Sequence, residues 1–404
     1  MSKLSQYFTG VAVKRLSEVE ANSAVSNQHE FNGVNRMRAI FGDTRIEKMG
    51  TDILYLGEEE DESILDETFI TWYDARIDDN SRSAEFRAYY TANRVMEKAQ
   101  SGDLLVVAKR NGGRILIVVV RFGSTFEGQV LWLFGASGYN GGRVEISDVR
   151  GGGDREIGYA EIAILEALGV EPELESEDWL GCILEEFGER FPTTKLFSKF
   201  ARDTAGEVSP IDDPDGTIIN WLSHEEMLFR TLERHIVGQR LNTPFTDVDT
   251  FIKYSLSVQN RRKSRAGYSL EHHLREVFNA QELLFVEQVI TEKNSKPDFL
   301  FPNLDSYHNL DFDAKYLTML GAKSSCKERW NQVLAEAERI EDKHLFTLEA
   351  SISSRQTDKM IDKKLQLVLP TAIHETYSDA QQEWLMDLGG FIEEVKERQK
   401  SAGL

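Results

Sequence analysis

The chain has 404 residues, more than one hydrophobic core usually serves, and its 41% hydrophobic and 10% aromatic content is that of packed protein rather than a disordered chain. Its net charge of −21 argues at first sight against a nucleic-acid partner, and its two cysteines, Cys182 and Cys326, exclude a disulfide scaffold or a zinc ribbon and fit a reducing cytoplasm. The longest apolar run, Ile115–Val120, is too short to span a bilayer, and the first residues carry no signal-peptide core.

The charge is uneven. Residues 1–50 sum to +2 and residues 51–80 to −10, whereas residues 251–270 carry five Lys and Arg with no acid. Charges farther than roughly 8–10 Å from a phosphate are screened at physiological salt, so local basic patches decide DNA binding. Acidity elsewhere limits non-specific sticking.

In chain order, the first half predicts short strands at Asp103–Lys109, Ile115–Arg121 and Val130–Phe134, separated by glycine-rich turns. That spacing suggests a barrel or sandwich. A helix follows at Gly158–Leu168. The acidic stretch Glu171–Asp178 reads as a domain linker, which sets domains at 1–170 and 190–404 with a linker over 171–189. A second acidic loop, Ser209–Gly216, carries two prolines and breaks helices. Beyond it, helical periodicity predicts helices over Ile218–Val237, Val248–Val258, Ser269–Asn279, Lys327–Ile340 and Ala380–Arg398. Apolar runs at 284–290, 299–301, 317–322, 344–348 and 365–370 predict strands between them. Interleaved helices and strands imply a mixed sheet covered on both faces.

Phosphodiester cleavage near neutral pH needs divalent cations held by carboxylates and a lysine to orient water or offset charge. Mg²⁺ takes hard oxygen ligands and keeps several waters, so two or three acids at strand ends suffice. Lys296-Pro-Asp-Phe-Leu-Phe-Pro302 puts Asp298 at the start of a strand, and Leu317–Lys323 ends a second strand on a lysine. Glu271 lies upstream on an amphipathic helix. This order resembles the PD-(D/E)xK nuclease fold. The residue two before Lys323 is Gly321, where that pattern has an acid. Either the literal motif Asp313-Ala-Lys315 serves instead, or the acid has moved to the following helix as Glu336. The long apolar run before Lys323 favours the second.

Ser257-Val-Gln-Asn-Arg-Arg-Lys-Ser-Arg-Ala-Gly-Tyr-Ser-Leu-Glu271, the Asp298 block, Tyr307-His308 and Lys323-Ser-Ser-Cys-Lys-Glu-Arg-Trp330 together resemble the EcoRII restriction endonuclease family, as do Glu336-Ala337 and the runs at 344–348 and 365–370. The resemblance covers most of residues 190–400. It implies a two-domain α+β protein whose C-terminal domain is a mixed sheet flanked by helices. It also implies Mg²⁺-dependent type II, specifically IIE, cleavage at a CCWGG- or CCNGG-like palindrome by a homodimer, leaving 5′-phosphate ends. Glu271, Asp298, Lys323 and Glu336 would be catalytic, Lys327 would assist, and Asp298, Glu336 and Glu271 would hold the metal. Arg261, Arg262, Lys263 and Arg265 would read the C·G-rich core, with Tyr307 positioning DNA or packing. No nucleotide cofactor or membrane is implied. More weakly, Val13–Ser17, Gln28-His29 and Arg87–Arg94 resemble the family's N-terminal effector domain, a B3-like pseudobarrel that binds a second copy of the target. Lys14, Arg15, His29, Arg87, Asn93 and Arg94 would make those contacts.

Taken singly, each feature has a plainer reading. A Pro-Asp pair is turn chemistry, helix glutamates are solvated, and His272-His273 point in different directions and stay structural. Gly151–Gly153 lacks the Lys-Ser/Thr of a P-loop and reads as a turn, and Trp330 reads as core. Two rival functions remain: a DNA-binding regulator on an inactive nuclease fold, and a structure-specific repair nuclease.

Overall fold

In a computed structural model, the described residues are 3–21, 29–32, 34–58, 62–79, 81–147, 157–173, 177–326 and 329–404. They divide into two compact units, Met1–Pro172 with Ser351–Ser353, and Glu173–Ala350 with Ser354–Leu404. Each is α+β. No described helix is long and apolar enough to cross a membrane.

The first unit is built on strands β1 (Phe8–Arg15), β2 (Glu30–Phe31), β3 (Ile46–Leu56), β4 (Ile64–Asp74), β5 (Phe86–Tyr90), β6 (Leu104–Arg110), β7 (Ile115–Val120) and β8 (Glu145–Ser147). They form one sheet in the order β2-β5-β4-β3-β7-β6-β1-β8. The pairs are antiparallel except β3 with β7, which run parallel from Thr51 opposite Ile115. Alternation along β4 turns Thr68, Ile70 and Trp72 inward and leaves Leu65, Glu67 and Phe69 outside. Ile53, Tyr55, Ile70, Trp72, Val107 and Ile117 share one core with Phe31 and Phe86. All six residues of β7 are buried, so both faces of the sheet are covered there.

The expected strand at Val130–Phe134 is instead the end of a helix, Thr125–Leu133. Ser124 caps it by accepting from the Glu127 backbone N–H, and that signal lies upstream of the apolar run that suggested a strand. The segment expected as a linker contains a helix, Glu177–Phe187, whose Ile183 is buried in a core with Phe197, Leu228, Phe229 and Leu232. Asp178, Glu185 and Glu186 lie on the exposed side of that helix.

The second unit continues with helices Thr194–Thr204, Pro214–Leu241 and Val248–Ala280. The acidic loop separates two helices as expected, but its end already begins the second: Pro214 occupies the first turn and Asp213 accepts from Gly216 N–H. The two helices predicted at 248–258 and 269–279 are one helix of 33 residues, capped by Asp247. No proline interrupts it, and the basic stretch between the two apolar patterns is simply its middle. A five-stranded sheet follows, of β9 (Val286–Glu287), β10 (Phe299–Phe301), β11 (Thr318–Lys323), β12 (Lys343–Thr347) and β13 (Leu365–Val368), ordered β13-β12-β11-β10-β9. β11, β12 and β13 run parallel, while β10 is antiparallel to both neighbours. The mixed sheet is therefore as expected, although β9 is shorter than the run at 284–290. The helix expected over Ala380–Arg398 is split into Asp379–Gln382 and Leu388–Ser401, because Asp387 caps a new start by accepting from Gly390 N–H. Phe278 on the long helix packs against Phe299 and Phe301 of β10, with ring centroids 5.1 and 5.4 Å away, which fixes helix to sheet.

Candidate active site

The site is set by the antiparallel register of β10 and β11, which pairs Phe299 with Leu320. Asp298, immediately before β10, thus lies beside the end of β11. Its Oδ2 accepts from Ala322 N–H at 2.7 Å and from Lys323 Nζ at 2.8 Å. Asp298 is buried and Lys323 partly so. The other oxygen, Oδ1, accepts from Gln288 Nε2 at 2.9 Å, and the same nitrogen donates to Glu271 Oε2 at 3.2 Å. Sequence reasoning gave no signal for Gln288, which is an exposed glutamine just past a two-residue strand.

Glu271 sits two turns before the end of the long helix. Burial, then the nearby charge of Asp298, push its carboxyl up to about 7, against the opposing pull of Lys323 and Gln288. Glu336 behaves alike: burial and Asp298 raise it to about 7, and Lys323 and Lys343 oppose the rise. Its Oε2 is buried without a hydrogen-bond partner among the described residues.

Glu336 is not on the helix expected over 327–340. The described helix there is only Trp330–Val333, and Glu336 lies in the turn beyond it. Ala337 takes a positive φ of 48° in that turn. Lys343 Nζ, buried at the start of β12, donates to Ala337 O at 3.0 Å and Ile340 O at 2.5 Å and ties the turn down. Lys327 lies outside the described residues, as does Gly151–Gly153.

Of the two lysines weighed, Lys323 meets Asp298, while Lys315 is exposed and pairs with its own neighbour Asp313 at 2.9 Å. Gly321 and Lys323 share a strand face. A Cβ on Gly321 would meet Val333 Cγ2 at 2.9 Å, so no acid fits at that position.

A cluster of hard carboxylate oxygens, with Glu271 and Glu336 raised by burial and then by the charge of Asp298, suits a divalent cation. Among the described residues, no three His, Cys, Asp or Glu side chains are placed to hold a metal together.

The basic cluster behaves differently from its reading in sequence. Arg265 is buried, where it pairs with Glu225 at 3.2 Å and with Glu226, and stacks over Phe229. It joins helix to helix and is not available to DNA. Arg262 pairs with Glu233 at 2.5 Å, Arg261 lies over the Phe191 ring at 4.0 Å, and Lys263 is exposed. Tyr307 is fully buried, and its hydroxyl donates to Glu292 at 2.6 Å. It packs in the core. Trp330 is core as expected, and His273 is buried against Glu225 at 2.9 Å.

In the first unit, Lys14 is buried and donates to Glu20 at 2.5 Å and Asn32 O at 2.8 Å. Asn93 is buried as a helix cap, accepting from Met96 N–H. Arg15 pairs with Glu127, Arg87 with Glu30 at 2.9 Å and with Glu85, and Arg94 is exposed beside Asp66 at 3.4 Å. His29 lies against the Tyr90 ring at 5.5 Å.

Residues 229–392 match the family described as EcoRII C terminal. The chain is 40% identical over 212 residues to the type II restriction enzyme EcoRII of Escherichia coli, covering 52% of each sequence. It thus spans about half the length of the curated relative it matches. Its C-terminal half is EcoRII-like. Among solved structures, metal-depleted Ecl18kI in complex with uncleaved DNA aligns at 17% identity and a TM-score of 0.45, over 55% of this chain and 84% of that one. A complex of the restriction endonuclease PspGI with substrate DNA aligns at 12% identity and a TM-score of 0.41, over 59% of this chain and 95% of that one.

Proposed function

We propose that this EcoRII-like chain is a type II restriction endonuclease that cuts both strands of DNA at a short C·G-rich palindrome, in a Mg²⁺-dependent reaction leaving 5′-phosphate ends. The observation that carries the reading is the Asp298–Lys323 pair on adjacent strands, flanked by Glu271 and Glu336 with carboxyls raised to about 7. Asp298, Glu336 and Glu271 would hold the cation. When bound, it supplies charge stabilisation at the leaving 3′ oxygen and makes water a better nucleophile. Lys323 orients the attacking water and offsets the charge of the scissile phosphate. The Glu336 oxygen, buried with no donor beside it among the described residues, gives that acid a lone pair to offer.

Arg261, Arg262 and Lys263 follow one another near the middle of the long helix and supply guanine and phosphate contacts. A homodimer presents two such sets to the palindrome. The first unit is a B3-like effector domain that binds a second copy of the target through Arg15, His29, Arg87 and Arg94, each exchanging a present partner for DNA. The protein works in the cytoplasm.

The test is digestion of unmethylated plasmid carrying several CCWGG sites, with Mg²⁺ and with EDTA, followed by sequencing of the ends. Discrete Mg²⁺-dependent fragments with one common end sequence support the reading. Specific binding without cleavage supports an inactive nuclease fold acting as a regulator. Ragged or structure-dependent cutting supports a repair nuclease.

A further inference from the structure

Gln288 stands where two carboxylates meet. β9 pairs with β10 with Glu287 opposite Phe299, so the next residue of the edge strand falls beside Asp298. Two contacts hold it there. Its backbone N–H donates to Asp298 O at 3.3 Å, and its side-chain nitrogen donates to Asp298 Oδ1 at 2.9 Å. The same nitrogen reaches Glu271 Oε2 at 3.2 Å. A primary amide has two hydrogens on one nitrogen, so it can serve two acceptors at once. Both partners are carboxylate oxygens, which fixes the nitrogen end of the amide towards them.

Gln288 also takes a positive φ of 50°. That region is uncommon for a residue with a Cβ, and such residues collect at functional sites where surrounding contacts hold them. Here the contacts in question are those to Asp298 and Glu271. Without the amide, Glu271 on the helix and Asp298 on the sheet would repel each other with Lys323 alone to offset it. Their repulsion would then turn the flexible Glu271 side chain outward.

We infer that Gln288 is a positioning residue that holds the Glu271 and Asp298 carboxylates together as ligands of one divalent cation. The inference rests on the metal-nuclease reading above. In this role Gln288 does not touch the reacting atoms. It acts as the outer partners of metal ligands generally do, by fixing the orientation of the groups that bind. Lys323 remains on the other oxygen of Asp298 and opposes the same carboxylate from the strand side.

The experiment is a titration of the full chain with Mn²⁺ alone, with free Mn²⁺ followed by its electron paramagnetic resonance signal and folding followed by thermal melting. Gln288→Met keeps the side-chain length and loses both donors. Gln288→Asn keeps an amide that is too short to span the pair, on a residue that adopts positive φ readily. Asp298→Asn and Glu271→Gln identify the binding as that of this site. The expected result is that both Gln288 variants melt like wild type and bind Mn²⁺ about tenfold or more weakly, the usual effect of losing a partner of a metal ligand. Undiminished or tighter binding by Gln288→Met overturns the inference, the latter by showing that the amide competes with the cation. Wild-type binding by Gln288→Asn overturns it too, by assigning the role to the backbone. If wild type itself binds no Mn²⁺, the metal-nuclease reading falls, and this inference with it.

Discussion

Val333 fills the space that a side chain at position 321 would need: a Cβ on Gly321 would lie 2.9 Å from its Cγ2 and 3.1 Å from its Cγ1. Packed atoms do not approach that closely, so glycine and valine exclude an acid between them. The same short helix that delivers Val333 leads into the turn carrying Glu336. One packing contact therefore closes the usual position of the second carboxylate, and the next turn of chain supplies a carboxylate from elsewhere.

Restoring the literal motif with Gly321→Asp is accordingly expected to destabilise the second unit and abolish cleavage. Overpacking of this kind costs about 1–3 kcal/mol, and burial of a charge adds to it. Val333→Ala makes room. Thermal melts of the two single variants and the double variant should show the double to be more stable than the sum of its parts predicts, with a coupling of about 0.5–3 kcal/mol. Strict additivity would mean that Val333 is not the obstacle.

Lys323→Ala should reduce single-turnover cleavage by about 10²–10⁴-fold while leaving DNA binding largely intact, as expected for a positioned charge acting on the reacting phosphate. Lys315→Ala should leave the rate unchanged, since Lys315 is exposed and faces Asp313. The reverse result would move the site to the Asp313-Ala-Lys315 motif.

The candidate site was legible in sequence wherever chemistry and strand pattern coincide. Asp298 before an apolar triplet and Lys323 at the end of an apolar run could be placed because strands bury such runs and their ends face solvent. Within the arginine cluster, Arg265 was misread for a physical reason. Arginines look alike in sequence, whereas burial depends on which helix face meets a neighbour, and Arg265 faces Glu225 and Glu226 on a helix 40 residues earlier in the chain. Lys14 and Tyr307 share that origin: each is buried by a partner distant in sequence or by the fold around it. Gln288 was invisible because its role depends on β-sheet register and left no periodic signal.

Arg265→Ala should therefore unfold rather than merely loosen DNA contacts. Removing one member of a buried ion network leaves the others unpaired, at about 3–5 kcal/mol. Arg262→Ala, half-buried beside Glu233, should keep the fold better and weaken site discrimination, by about 1–3 kcal/mol per lost bidentate guanine contact. The same network sets an acid limit. Burial alone would raise the Glu225 carboxyl, but the bond from His273 and the charge of Arg265 outweigh it and hold it at about 2, below its ordinary 4.5. A depressed carboxylate contributes stability that is present above its unfolded value and lost as pH falls through the folded one. The melting temperature of the second unit should thus drop between pH 4.5 and about 2, and Glu225→Gln should flatten that drop at the expense of stability at neutral pH.

Lys14→Ala should destabilise the first unit by an amount approaching the roughly 3–5 kcal/mol of breaking a buried pair, because Glu20 is left facing Ser17 and Asn32 without its cation. Arg94→Ala should not change the melt, since an exposed pair is worth about 0–1 kcal/mol. If the effector reading holds, Arg94→Ala instead weakens binding of a second DNA copy in a two-site gel-shift assay. A stable Lys14→Ala protein would return Lys14 to the list of DNA contacts.

Glu336→Gln separates the demands of folding from those of chemistry. The buried Oε2 has no hydrogen-bond partner among the described residues, and the carboxylate sits in the repulsive field of Asp298. Neutralising it removes that repulsion and keeps the shape, so in EDTA the variant should melt above wild type, by the margin typical of relieving strain at a functional site, about 0.5–2 kcal/mol. Mg²⁺ should raise the melting temperature of wild type more than that of the variant, because a ligand that binds only the native state stabilises it in proportion to affinity. Cleavage should be lost while duplex binding survives. A Glu336→Gln protein that cuts at the wild-type rate would remove this acid from the site, and with it the explanation offered for the glycine at position 321.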